Sequence, residues 1–355
     1  MMADPGREAW LASVTEPIIE PERRIIDPHH HLWESPAGMW GRYVLEDLWA
    51  DTDSGHNIEK TVFIECRSGY AEESPEHLQP VGETRYVAGV AAESAKTAGK
   101  ATIAAIVGHA NLTLGDTVEE VFAAHEEAGN GLFRGIRHAG PFDTTGTLKN
   151  PGRNKESPYL NPEFQAGVRR LGRLGYTYDT WHFFHQNHEY LKLARACPDT
   201  TMVLDHFGTP LGVGPYAGKQ AEIYQQWQSD IEEIAQCPNV VAKLGGMAMP
   251  DNGFGWHDDP APPSSDAFVA AQRKYFLHTI ECFGPERCMF ESNYPVDRLS
   301  ISYHVLWNGL KKIVAEFSES EKDAMFYGTA ARVYQIREQA ALTTDNQQGA
   351  TDGSS

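Results

Sequence analysis

Eight short apolar runs, set apart by longer amphipathic or loop-rich stretches, constrain this chain more than any other feature. They cover residues 24–27, 61–66, 102–107, 132–137, 176–180, 201–205, 240–244 and 288–291. Most are rich in β-branched or aromatic residues and are bounded by Gly, Pro, Asn or Asp, which is how strands read. Helical patterns lie between them. Residues 116–128 open on an Asp and close before Gly129. Residues 161–174 carry Pro162 at the first helical position and Gly175 just past the end. Residues 220–236 and 265–283 are longer, and a turn containing Pro follows each. Eight strands alternating with helices predict an α/β chain closed as a (β/α)8 TIM barrel, which needs about 250 residues plus insertions. A doubly wound sheet is the alternative. It would want a Gly-rich phosphate turn after an early strand, and the sequence has none.

On this reading residues 1–23 are an N-terminal extension packing on the barrel, 24–338 the barrel, and 339–355 a polar, disordered tail. Two long stretches, 143–159 and 248–264, follow the fourth and seventh strands. They fall on the C-terminal face of the barrel, where active sites sit, and their Gly, Pro and Asn content suits lids.

Charge narrows the partners. With 30 Lys+Arg against 49 Asp+Glu the net charge is -19. Nucleic acid and an anionic membrane surface are disfavoured, because both need a cationic face. A small anionic organic substrate is not, since it meets local charges rather than the total. The N-terminal stretch has early acids and no apolar core, and no apolar run reaches the roughly 20 residues of a membrane span. Five Cys, odd in number and without a CxxC, read as reduced thiols. The expectation is a cytoplasmic protein, with homo- or hetero-oligomer assembly open.

Chemistry-bearing residues gather at the strand ends. Asp27-Pro28-His29-His30-His31 ends the first run, and alternation along extended chain points His29 and His31 the same way. Two converging imidazoles suit a divalent metal. A loop with incidental histidines is the plainer alternative. His206, in Leu204-Asp205-His206-Phe207-Gly208, faces the same mouth as a ligand, a general base or acid, or a strand-end cap. Arg137 and Arg67 are forks for a carboxylate, Arg134 is a rival to Arg137, and each could instead be a structural ion pair. Glu65 could join two imidazoles in a site of two histidines and one acid, a pattern iron also uses, or pair with Arg67 or Arg137. Lys243 could neutralise a substrate carboxylate or a strand-end acid. Trp33, Trp40, Trp181, Tyr294 and Trp256 are candidate pocket walls, or simply core. Cys66 lacks an accompanying nucleophile pattern.

Six pieces in order, DPHHHLW (27–33), FRGIRH (133–138), LDHFG (204–208), NVVAKLGG (239–246), GPERCMFESNYPVD (284–297) and GTAARVY (328–334), resemble the amidohydrolase-related metal-dependent hydrolases of TIM-barrel fold. The likeness is to the lactonase branch, which includes sugar-acid lactonases and the 2-pyrone-4,6-dicarboxylate lactonase. It spans roughly residues 24–336. The resemblance implies a metal-binding hydrolase opening a small carboxylated lactone or related ester. His29, His31 and His206 would be the ligands, with zinc as the cation, manganese or iron as alternatives, or no metal at all. The family's strand-eight Asp falls on Asn293, whose amide cannot be a general base but can offer a neutral oxygen or hold a water. His206, Asp205, Asp297 or Glu65 would then act as base. Alternatively the site would run a metal-dependent decarboxylation or oxygenation, or the chain would be a non-catalytic partner subunit. Decarboxylase relatives also place a histidine on strand five, where only His182 or His185 could substitute.

Overall fold

The computed structural model describes residues 5–35, 41–145, 148 and 156–337. Its eight parallel strands follow chain order around one sheet. They are β1 (Arg24–His30), β2 (Asn57–Ile64), β3 (Thr102–Gly108), β4 (Phe133–Arg137), β5 (Thr177–Thr180), β6 (Met202–Leu204), β7 (Val240–Leu244) and β8 (Cys288–Phe290). A parallel bridge between His30 and Tyr294, with His31 N donating to Tyr294 O at 2.8 Å, brings the ends of β1 and β8 together. The expected TIM barrel is the observed fold. The expected tail and Trp40 lie outside the described residues, as does most of 143–159.

Alternation sorts each strand's side chains into two environments. Ile26, Val62, Ile64, Ala105, Val107, Val203, Val241 and Met289 form one buried cluster, the lining of the bore. Ile136, Tyr178, Met202, Leu204, Ala242, Leu244, Cys288 and Phe290 belong to the larger cluster that the helices cover. The helices have the expected local causes. Asn161 caps Pro162–Arg173 by accepting from Glu163 N and Phe164 N, and Ser264 caps Ser265–Phe283. At the expected 116–128 helix the regular α segment is Glu119–Ala128, because Gly115 just before it has a non-helical backbone.

The inward phase continues past the apolar lining into charge. Two residues beyond Val203, Val241 and Met289 come Asp205, Lys243 and Glu291, all at most 1% exposed. Arg137, the last residue of β4, and Asp179, the last but one of β5, join the same layer. The bore is thus apolar near the strand starts and ionic near the strand ends. From below, the segment after helix Thr329–Val333 plugs it. Tyr334 packs with the bore lining, its hydroxyl donating to Asp179 Oδ2 at 2.5 Å and its carbonyl accepting from Arg134 Nε at 2.8 Å. Arg134 is therefore at the bottom of the barrel, away from the mouth where Arg137 sits.

At the other end, the N-terminal segment fastens mouth loops. Arg7 Nη1 donates to His257 O (3.2 Å) and Leu299 O (3.0 Å), and Trp10 Nε1 donates to Asp259 O (2.9 Å). All five cysteines are free thiols. Among the described residues no helix is long and apolar enough to cross a membrane.

Removing the Tyr334 hydroxyl takes one donor from a buried carboxylate. Tyr334→Phe should keep the far-ultraviolet circular dichroism of the wild type while lowering unfolding free energy by ~1–2 kcal/mol, read by urea titration. An unchanged midpoint would remove Tyr334 from the support of Asp179.

Candidate functional site

Pro28 interrupts the β1 ladder, and the register to β2 shifts between Asp27 and His30. The shift separates the roles of neighbouring residues. Asp27 turns to β8, accepting from Ser292 N (2.9 Å), Ser292 Oγ (2.5 Å) and Tyr303 OH (2.8 Å). It clasps the seam of the barrel. His30 contacts Thr61 Oγ1 at 3.0 Å, while His29 and His31 converge, their Nε2 atoms 3.3 Å apart. That separation is what two nitrogens about 2.0–2.1 Å from one tetrahedral zinc would show.

The second histidine element depends on unusual backbone. His206, Phe207, Gly208 and Thr209 all have positive φ (54°, 58°, 66° and 44°), so β6 stops after three residues and the chain turns sharply at the mouth. Three non-glycine residues held there store strain of the kind found at functional sites. His206 Nδ1 lies 2.7 Å from Glu291 Oε1, and His29 Nδ1 lies 2.8 Å from Glu291 Oε2. Two glycines after β7 make room. A Cβ at Gly246 would stand 2.1 Å from His206 Nδ1, and one at Gly245 would stand 2.5 Å from Glu291 Cγ.

His29, His206 and Glu291 are the group of potential ion ligands found among the described residues. Proton counting supports a cation there. His31 Nδ1 lies 2.8 Å from Ile64 O, a carbonyl that can only accept, so His31 Nε2 presents a lone pair to His29. Burial, then the Lys243 and His206 charges, holds His29 well below its ordinary value. A neutral His29 has one ring proton for two acceptors, His31 Nε2 and Glu291 Oε2. Glu291 Oε2 is buried and has no hydrogen bond of acceptable geometry. Burial pushes His206 down to about 3, so this ring is also neutral, the form that ligates. Burial pushes Glu291 up to about 8 against the pull of Lys243, so without an ion it would hold a proton near neutrality. The ionised form counted above is the one a bound cation would stabilise by displacing that proton. Three neutral imidazoles and one orphaned carboxylate oxygen fit a divalent ion.

Buried charge surrounds the cluster. Lys243 Nζ lies 3.0 Å from Asp179 Oδ2, 3.3 Å from Asp205 Oδ1 and 3.4 Å from His29 Nδ1. Burial pulls its pKa down, but Asp205 and Asp179 outweigh that and raise it. Arg137 donates from Nε to Glu65 Oε1 (2.9 Å), places Nη1 3.3 Å from His29 Nε2, and lies 3.7 Å from Asp205.

The sequence-derived candidates therefore separate. His29, His31, His206, Lys243, Arg137 and Asp205 are brought together. Glu65 is taken up by Arg137 and stands outside the ligand group. Asn293, left-handed at φ 56°, donates to Asp297 Oδ1 at 2.8 Å, and Asp297 Oδ2 accepts from Ala248 N at 3.1 Å. This pair braces the two mouth loops. Tyr294 is fully buried with its hydroxyl donating to Ile301 O, so it forms core rather than wall. Trp181 is half-buried and donates to Thr209 Oγ1 at 3.1 Å. His182 lies 2.9 Å from Asn187 Oδ1, and His185 donates to Phe142 O, so neither stands in for a strand-five ligand. Arg67 is exposed, with no acidic partner among the described residues. Its left-handed backbone (φ 67°) is held by the buried Glu83, which accepts from Cys66 N and Ser68 N on either side. Glu291 is the residue that motif reading missed. The Ser-Asn-x-Pro setting drew attention to position 293, but inward phase from Met289 selects 291.

Comparison with known proteins gives the family. Residues 26–336 match the family model described as amidohydrolase. The chain belongs to the amidohydrolase family. It is accordingly an enzyme of the hydrolase class, not a non-catalytic subunit. An uncharacterised protein of Sinorhizobium fredii is 31% identical, covering 88% of this chain and 98% of the relative. The L-fucono-1,5-lactonase of Burkholderia multivorans is 25% identical, covering 89% and 97%. Among solved structures, a zinc-bound amidohydrolase from Burkholderia multivorans superposes with a TM-score of 0.69 at 22% identity, covering 88% and 99%, which shows the shared fold.

Two changes should separate the ligand set from its surroundings. Protein purified without chelator should carry about one divalent ion per chain by elemental analysis. Glu291→Gln and Gly246→Ala should each lower that ratio while keeping the wild-type circular dichroism. Full occupancy in both variants would exclude the His29, His206 and Glu291 set.

Proposed function

We propose that this enzyme opens a small carboxylated lactone or related ester by hydrolysis. The observation that carries the reading is the inward-facing His29, His206 and Glu291 group, set between the cations Arg137 and Lys243 at the end of the barrel where chemistry is done.

A bound divalent ion, held by His29, His206 and Glu291 with His31 alongside, would polarise the ester carbonyl and make water more acidic. The protein's own groups do the rest. Glu291 is the proton acceptor this geometry favours. It reaches both histidines, its Oε2 has no hydrogen bond, and it supplies the carboxylate that Asn293 cannot. Asp205 is less suited: burial raises it to about 6, but Lys243 and Arg137 both face it, and it stands outside the group that His29 and His206 share with Glu291. Lys243 and Arg137 place fixed positive charge beside the developing oxyanion, in a layer that is almost fully buried and therefore poorly screened. Arg67, exposed and unpaired by acid, is positioned to hold a substrate carboxylate, a fork against a planar anion. The lactonase relative supports the substrate class.

The test is a panel of sugar-acid lactones and carboxylated pyrones, each offered with added zinc, added manganese or no added metal. Ring opening is followed by proton release. At least one carboxylated or sugar-acid lactone should turn over. His206→Ala should then lower kcat/KM by about 100-fold or more, and Arg67→Leu should raise KM more than it lowers kcat. No turnover on any member, or loss of carbon dioxide without ring opening, sinks the hydrolase reading.

A further inference from the structure

His109 is a mouth-facing imidazole to which neither the ligand group nor the ion-pair layer gives a role. It follows Gly108, the last residue of β3, and continues the inward phase of Ala105 and Val107. Its Nδ1 lies 3.0 Å from Arg137 O. A carbonyl only accepts, so Nδ1 carries the proton and Nε2 carries a lone pair. Among the described residues Nε2 has no hydrogen-bond partner, and the ring is half-buried rather than sealed. The charged groups that bear on the ring are Glu65, Arg67 and Arg137, those nearest the proposed anion site.

The ring is braced from behind. His125 Nε2 donates to His109 O at 2.8 Å, and His125 Nδ1 contacts Thr84 Oγ1 at 2.8 Å. The His138 ring packs edge-on at 5.2 Å between centroids. A lone pair fixed in this way, beside guanidinium groups that can only donate, is a neutral acceptor, set apart from the carboxylates of the mouth, which the cations take up.

We propose that His109 Nε2 accepts a hydrogen bond from a hydroxyl group of the substrate, so that the enzyme selects hydroxylated acids and their lactones over unsubstituted ones. This rests on the reading that the mouth binds a small organic acid, and it names the chemistry of that acid. An acceptor left unpaired by a substrate without the hydroxyl is the basis for rejecting it.

The test uses ring-opened acids, so it does not depend on turnover. Calorimetry compares C5 and C6 aldonates with pentanoate and hexanoate on the full chain. At least one aldonate should bind ~10-fold or more tighter than the alkanoate of equal length. His109→Asn keeps a donor near Nδ1 but loses the Nε2 position, and should abolish that preference with an unchanged unfolding midpoint. His109→Gln, whose amide reaches towards Nε2, should retain part of it. A merely structural role for the Nδ1–H would give the opposite ranking. A measurement on the wild type alone stands whether or not the variants fold: the aldonate, and not the alkanoate, should shift the His109 Nε2 resonance in nitrogen-15 spectra. Equal binding of aldonates and alkanoates, binding of neither, or a preference intact in His109→Asn overturns the proposal. A protein that shows the preference yet opens no lactone loses the hydrolase reading and keeps this one.

Discussion

One buried ammonium organises the barrel. Lys243 is fully enclosed in the bore, and removing a charge from water costs several kcal/mol unless partners compensate. Asp179 and Asp205 compensate directly, Tyr334 steadies Asp179 from below, and Arg137 shares Asp205 from the side. Four strands and the C-terminal segment thereby meet on one charge. A layer so connected cannot shift one member without exposing another, which is the rigidity that a site of neutral imidazoles above it requires.

The cations also set the protonation of that site. Burial is the largest influence on His29, and the Lys243 charge adds to it, keeping the ring neutral and available as a ligand. The layer thus supports, positions and discharges the groups above it. The left-handed turn from His206 to Thr209 and the clasp of Asp27 on Ser292 do the corresponding work for the backbone. They bring the ends of β6, β8 and β1 to one point.

Much of the fold was legible because strand periodicity is local. All eight apolar runs become strands, with β7 unchanged in its bounds. The differences have causes. β2 begins at Asn57, in polar residues that join the ladder only because β1 lies beside them. β6 is cut to three residues by the positive φ of His206. In the site, His29, His31 and His206 were visible as motifs. Glu291 was not, because the local Ser-Asn-x-Pro pattern favours 293 while the choice of 291 follows from which face of β8 looks inward. His109 carried no motif at all. A single histidine after Gly108 gains meaning only from the carbonyl it meets on β4.

What the amino-acid order determined by itself is the number and kind of elements and the chemical types at their ends. Those depend on spacing within a few residues. Which of those groups converge was decided by closure of the barrel. The absolute phase of each strand, and the pairing of residues as distant as Lys243 with Asp179 or Asp27 with Ser292, exist only once neighbouring strands fix one another in register. The pairing of Glu65 with Arg137 and the joining of Glu291 to the histidines are both consequences of that register, since alternation makes a side chain's direction a property of the sheet.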